Sequence, residues 1–199
     1  MKKLLGAACL LLMLPALLGG AEPGRIVGRV TLGKTQKHPV VVFLHGPPNS
    51  TPASPGVRPV LDEKGKVFIP HILPVVVGST VEFQNSDPFR HNIFSPDSER
   101  YNLGTWIGTA VKTHTFKKTG VYRQLCNIHP EMLAYIVVLE TPYFALTNGD
   151  GKFEVAGLPE GRYKAKVWGE KLKPSELALT LDVRITTGKI TFLEVDLRQ

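Results

Sequence analysis

Cysteine is scarce in this chain: there are two, Cys9 and Cys126, and Cys9 sits inside an apolar N-terminal run. Lys2 and Lys3, the apolar stretch Leu4 to Leu18 with its break at Pro15, and the small residues Gly19-Gly20-Ala21 have the pattern of a secretory leader cut after Ala21. Gly6 stands where a bacterial lipoprotein leader carries Leu, which argues against lipid attachment at Cys9. Loss of residues 1–21 would leave one thiol, so no internal disulfide can form, and metal ligation is the simplest reason to keep a lone thiol in an oxidising compartment. Long hydrophobic runs are also missing. The leader run is about 15 residues against the roughly 20 that a membrane-spanning helix needs. No transmembrane segment is therefore expected, and the mature chain is expected to be periplasmic or otherwise exported.

Runs of one charge are absent too. Lys and Arg number 24 against 17 Asp and Glu, and removal of Lys2 and Lys3 lowers the formal net charge from +7 to +5. The excess is dispersed, with no basic run interleaved with aromatics, so nucleic acid is not an expected partner. A moderate positive charge would steer encounter with an acidic protein or an anionic membrane surface without fixing its identity. Nucleophile elbows, zinc-binding His-Glu pairs and phosphate-cradling glycine loops are all lacking, and the expectation is a protein that is not an enzyme. Scattered carboxylates such as Glu170 read as ordinary surface residues.

What is present is β-strand patterning, with no convincing helical period. Alternating or β-branched runs occur at Ile26 to Leu32, Val40 to Leu44, Val75 to Val77, Val81 to Phe83, Tyr135 to Leu139 and Ile190 to Val195, each bounded by Gly, Pro, Asn or Asp. Gly46 to Gly56 is dense in Pro, Gly and Ser and reads as an extended linker. The divisions expected are a leader at 1–21, an N-terminal β segment with linker at 22–56, a central unit at 57–141 and a smaller β-sandwich at 142–199.

The chemistry concentrates in Cys126-Asn-Ile-His129-Pro-Glu-Met132, with His91-Asn92 upstream. A thiolate and two imidazoles make a trigonal set around copper. A weak axial Met destabilises copper(II), so the potential rises and one-electron transfer is favoured over bond-breaking chemistry. A strand from Val121 to Leu125 would deliver Cys126, the short loop would bring His129 and Met132, and His91 would come from a separate connection. One of these residues alone would be weak evidence, because a lone His is usually surface and a lone Met usually core. The ordered set at this spacing points to one copper ion held by His91, Cys126, His129 and Met132.

From about Val57 to Glu140 the chain resembles the cupredoxin family, the Greek-key β-sandwich of plastocyanin and amicyanin. The resemblance rests on Phe68-Ile-Pro70, the run Val75 to Asp87, His91-Asn92 and the closing Gly120 to Met132 segment, whose Cys-x-x-His-Pro-x-Met loop is similar to that of amicyanin. It is also similar to exported plastocyanin-like proteins often described as methylamine-utilisation proteins, which continue as Pro142-Tyr143-Phe144-Ala145 does here. The resemblance implies that Asn92 braces the cysteine loop and that His129 is an electron port framed by Ile128, Pro130 and Leu133. It implies a redox protein as partner, a c-type cytochrome or an amine dehydrogenase, and leaves the oligomeric state open. Gly151-Lys-Phe and Pro159-Glu-Gly161-Arg-Tyr163 resemble a carboxypeptidase regulatory-like or transthyretin-like sandwich. Residues 25–46 resemble the opening strands of the same module, and would pair with 142–199 around an inserted central unit.

Two other functions fit the composition: copper storage, delivery or sensing without electron transfer, and an interaction protein with a vestigial site. Delivery would suit a Met-rich tract, but the chain has three Met, two of them within residues 1–21. His38, His45, His71 and His114 lack ligand-like spacing and read as surface or rim residues. Asn148-Gly-Asp-Gly151 lacks the spaced carboxylates of a calcium loop and reads as a β-turn. Gln124 shares strand parity with Cys126, where an apolar residue is expected.

Overall fold

In the computed structural model the described residues are 22–31, 39–47 and 58–198. The expected leader, His38 and residues 48–56 of the expected linker lie outside them. The strands are β1 (Gly24–Thr31), β2 (Val41–His45), β3 (Val60–Lys64), β4 (Val67–Ile69), β5 (Ile72–Val76), β6 (Thr80–Asn85), β7 (His91–Ser95), β8 (Tyr101–Trp106), β9 (Lys112–Thr115), β10 (Gly120–Leu125), β11 (Leu133–Leu139), β12 (Phe144–Leu146), β13 (Lys152–Leu158), β14 (Gly161–Trp168), β15 (Leu181–Ile185) and β16 (Ile190–Asp196). One helical turn, α1 (Pro174–Leu177), follows β14, where no helix is expected from periodicity.

The architecture is all-β. A five-stranded sheet in the order β5-β11-β10-β7-β8 and a four-stranded sheet in the order β4-β3-β6-β9 enclose one core. Leu61, Phe68, Val81, Phe83, Ile93, Phe116, Tyr122, Ile136, Cys126 and Met132 meet there. The inward set follows from period-2 alternation: on β6, Val81, Phe83 and Asn85 are buried while Thr80, Glu82 and Gln84 are half-buried. A second, smaller sandwich is formed by sheets in the orders β13-β1-β16 and β12-β2-β14-β15. Its strands come from both ends of the chain. β1 lies between antiparallel β13 and parallel β16, and β2 lies between β12 and β14. Gly28 shows how tightly that middle strand is held, since a Cβ built there would stand 2.0 Å from the Leu193 carbonyl oxygen.

The Asn148 side chain organises the turn into β13, its Oδ1 accepting the Asp150 and Lys152 N–H groups, with Gly151 at φ 77. The two sandwiches share an apolar contact built on Val41, Ile72, Val137 and Leu139, flanked by Phe43, Val121, Phe144 and Trp168. A polar link lies beside it: His71 Nε2 is 2.9 Å from Glu170 Oε2, and Glu170 Oε1 is 3.0 Å from Lys171 Nζ. This corrects the reading of Glu170 as an ordinary surface residue. The Glu170 side chain is 9% exposed because its loop folds onto His71, and His71 packs edge-on against Tyr135.

Candidate metal centre

β10 and β11 are antiparallel partners, with Leu125 opposite Leu133 and Gln124 opposite Ala134. Their connection is the segment Cys126 to Met132. It is closed by the Met132 N–H, which donates to the His129 carbonyl oxygen at 3.0 Å. β10 also touches β7, where Leu125 pairs with Phe94. That contact places the start of β7, His91, beside the start of the loop.

Three ligand-type atoms meet there. His91 Nδ1 and His129 Nδ1 are 3.1 Å apart, and Cys126 Sγ is 4.0 Å from the first and 3.9 Å from the second. The cluster is buried at His91 and Cys126 and half-buried at His129. A circle through the three atoms has a radius of about 2.1 Å, which matches ordinary metal–nitrogen distances of about 2.0–2.1 Å and lies close to the roughly 2.3 Å of a metal–thiolate bond. His91, Cys126 and His129 are therefore the side chains that would hold a metal ion. Met132 is 1% exposed and packs in the same core as Cys126. Among the described residues, no other group of three or more His, Cys, Asp or Glu side chains clusters closely enough to hold a metal.

Polar contacts fix the donors. The Asn92 backbone N–H points at Cys126 Sγ at 3.5 Å, and Asn92 Oδ1 accepts the Asn127 N–H at 3.4 Å. Asn92 Nδ2 donates to Asn102 Oδ1 and to the Gly104 carbonyl oxygen, both at 2.9 Å. One amide therefore ties β7, β8 and the cysteine loop together. His91 Nε2 lies 2.8 Å from Asp87 Oδ2. Burial pushes the Asp87 carboxyl up, but the N–H groups of Gly65 and Lys66 and the His91 ring outweigh it and hold the group below the usual carboxylate range.

Asp87 is the site-adjacent residue that sequence reasoning missed. Its only signal was position, four residues before His91. Gln124 also finds its explanation here: although fully buried, it accepts a hydrogen bond from the Tyr101 hydroxyl, and its Nε2 donates to the Tyr122 carbonyl oxygen at 3.1 Å. The remaining described histidines, His45, His71 and His114, stay apart from the cluster. His114 stacks on Tyr101 with ring centroids 4.0 Å apart, and His45 pairs with Glu140 at 3.1 Å.

Around the cluster Ile128 is 44% exposed, Pro130 is exposed, and His129 and Leu133 are half-buried. Phe89 completes the surround, its ring centroid 5.7 Å from that of His129 and 5.1 Å from that of His91.

No protein-family model and no curated protein matches this sequence. Among solved structures, the chain is similar to a purple cupredoxin from Nitrosopumilus maritimus, at 24% identity and TM-score 0.38 over 41% of this chain and 99% of that one. It is similar to a copper-containing nitrite reductase from Thermus scotoductus SA-01, at 29% identity and TM-score 0.41, over 48% of this chain but only 27% of that one. The reduced amicyanin variant P94F aligns at 22% identity and TM-score 0.40 over 49% of this chain and 99% of its own.

Proposed function

We propose that this chain is an exported electron carrier that holds one copper ion between His91, Cys126, His129 and Met132 and passes single electrons to and from redox proteins. The observation that carries the reading is the triangle of His91 Nδ1, His129 Nδ1 and Cys126 Sγ, with sides of 3.1, 4.0 and 3.9 Å, a spacing close enough for the three side chains to hold one metal ion. Bound copper would supply a one-electron couple, and a nitrogen, nitrogen, thiolate set with a weak thioether is the donor combination suited to it.

The residues supply rigidity and access. His91 and Cys126 are buried, which keeps water and competing ligands away. His129 is the donor nearest solvent. It would serve as the electron port, with Ile128, Pro130 and Leu133 forming an apolar rim for brief docking to a small partner interface. The leader-like Met1 to Ala21 segment supports an extracytoplasmic location, where a cytochrome or an amine dehydrogenase is the class of partner proposed.

The deciding experiment is the visible and electron paramagnetic resonance spectrum of the purified protein titrated with copper(II), with Cys126→Ser alongside. An intense blue band at one copper per chain, narrow hyperfine splitting and loss of colour in Cys126→Ser are expected. Met132→Leu is expected to keep the colour and raise the potential. A colourless wild-type complex with ordinary copper splitting would sink electron transfer.

A further inference from the structure

We propose that Asp87 is a positioning residue for the metal centre: it fixes His91 as an Nδ1 donor and strengthens that donor, so that the site favours the more highly charged ion. The proposal rests on the reading of the site as a one-electron copper centre.

The His91 ring is fully buried and its Nε2 lies 2.8 Å from Asp87 Oδ2. A carboxylate facing Nε2 keeps the ring proton on that nitrogen, and Nδ1, which faces Cys126 and His129, is left with its lone pair. A backbone carbonyl in the same place would orient the ring as well, but only a carboxylate brings a full negative charge. That charge polarises the imidazole and would stabilise a doubly charged ion over a singly charged one.

Asp87 is itself held from several directions. Gly65 donates its N–H to Oδ1 at 2.7 Å and Lys66 donates to Oδ2 at 3.1 Å. Both donors lie in the β3–β4 turn at φ 67 and φ 59, a left-handed pair whose successive N–H groups form an anion-binding concavity. The Asp87 N–H donates to Asn85 Oδ1, and Asn85 Nδ2 is in turn fixed by the Phe89 and Trp106 carbonyl oxygens. A chain of contacts thus runs from the β3–β4 turn through Asp87 to His91. If Asp87 served only that turn, nothing would require its second oxygen to meet a ligand imidazole.

The test uses two readouts. The first is nitrogen NMR of the imidazoles in metal-free wild-type protein. The tautomer with the His91 proton on Nε2 is expected, and the Nδ1–H tautomer would overturn the proposal. The second is the reduction potential of copper-loaded Asp87→Asn, which keeps size and an acceptor but removes the charge.

Removing such an outer partner weakens metal affinity by about ten- to a hundredfold. If the loss falls on copper(II) rather than copper(I), the potential rises by about 60–120 mV, at 59 mV per tenfold for one electron. An unchanged potential in a folded, coloured variant would overturn the tuning role. If Asp87→Asn does not fold, the wild-type tautomer decides alone. Should wild-type protein bind copper without colour, the electron-transfer reading fails, while the tautomer measurement still decides whether Asp87 sets the donor.

Discussion

Glu63, on β3, provides a test of the sandwich that needs no metal. Its side chain is fully buried, and neither carboxylate oxygen has a hydrogen-bond partner among the described residues. Burial, followed by the charges of Asp62 and Asp87, pushes its carboxyl from 4.5 to about 8. The folded protein therefore binds a proton that the unfolded chain releases. Stability is full below the unfolded value, falls as pH rises from about 4.5 to about 8, and is flat above that.

Each unit of the window is worth about 1.36 kcal/mol, so the whole decline amounts to about 4–5 kcal/mol, with about 3 kcal/mol already lost by pH 7. Glu63→Gln keeps the shape and removes the titration. Urea unfolding of metal-free wild type and variant between pH 4.5 and 9 should give a stability difference that moves in favour of the variant by about 1.4 kcal/mol per unit and levels near pH 8. Groups that do not interact with Glu63 cancel in that difference. Parallel profiles, or a difference that moves the other way, would refute a neutral buried acid at this position.

Tyr101→Phe strands the buried Gln124 Oε1 and should cost about 1–3 kcal/mol, whereas Tyr101→Phe with Gln124→Leu should recover much of that loss in a double-mutant cycle by chemical denaturation. Gly28→Ala places a methyl group 2.0 Å from a backbone oxygen and 2.7 Å from the Phe153 ring, so β1 must shift between its two neighbours. A loss of at least about 1–3 kcal/mol is expected, read as a lower thermal midpoint. Asn92→Ala removes two donated hydrogen bonds and the acceptor for Asn127, for about 2–3 kcal/mol, and should speed copper loss to a chelator severalfold.

What could be read from the sequence divides by the range of the physics involved. Strand runs such as Val40 to Leu44 and Ile190 to Val195 declare themselves because alternation and β-branching are local, and their true limits differ by only a residue or so. The Cys126, His129 and Met132 grouping was visible because one hairpin connection carries all three, and His91 because few residues offer an imidazole at that distance along the chain. The polar residues that act through remote partners were not visible. Asp87 meets the β3–β4 turn, Gln124 meets Tyr101 across the core, and Glu170 meets His71 from the other sandwich. No spacing rule connects residues 99 apart, and a carboxylate in a loop reads as solvated until tertiary packing buries it.

The same contacts bear on the choice between carrying electrons and handing over copper. A carrier needs its donor atoms in nearly the same places in both charge states, whereas a delivery protein needs at least one donor free to leave. Two of the proposed donors are tied to strands: His91 opens β7 and is held by Asp87, and Cys126 leaves β10 under the Asn92 N–H. His129 is the half-exposed member, and it too is constrained, because its carbonyl oxygen closes the turn to Met132 and Phe89 packs edge-on against its ring. An exchangeable site would have to unlatch there, with the imidazole swinging past the Phe89 ring. Slow copper removal by chelators, with a reversible potential unchanged over many cycles, is the outcome expected of the proposed carrier. Rapid exchange in a folded protein would show that the His129 ring leaves readily, and would shift the reading to copper delivery.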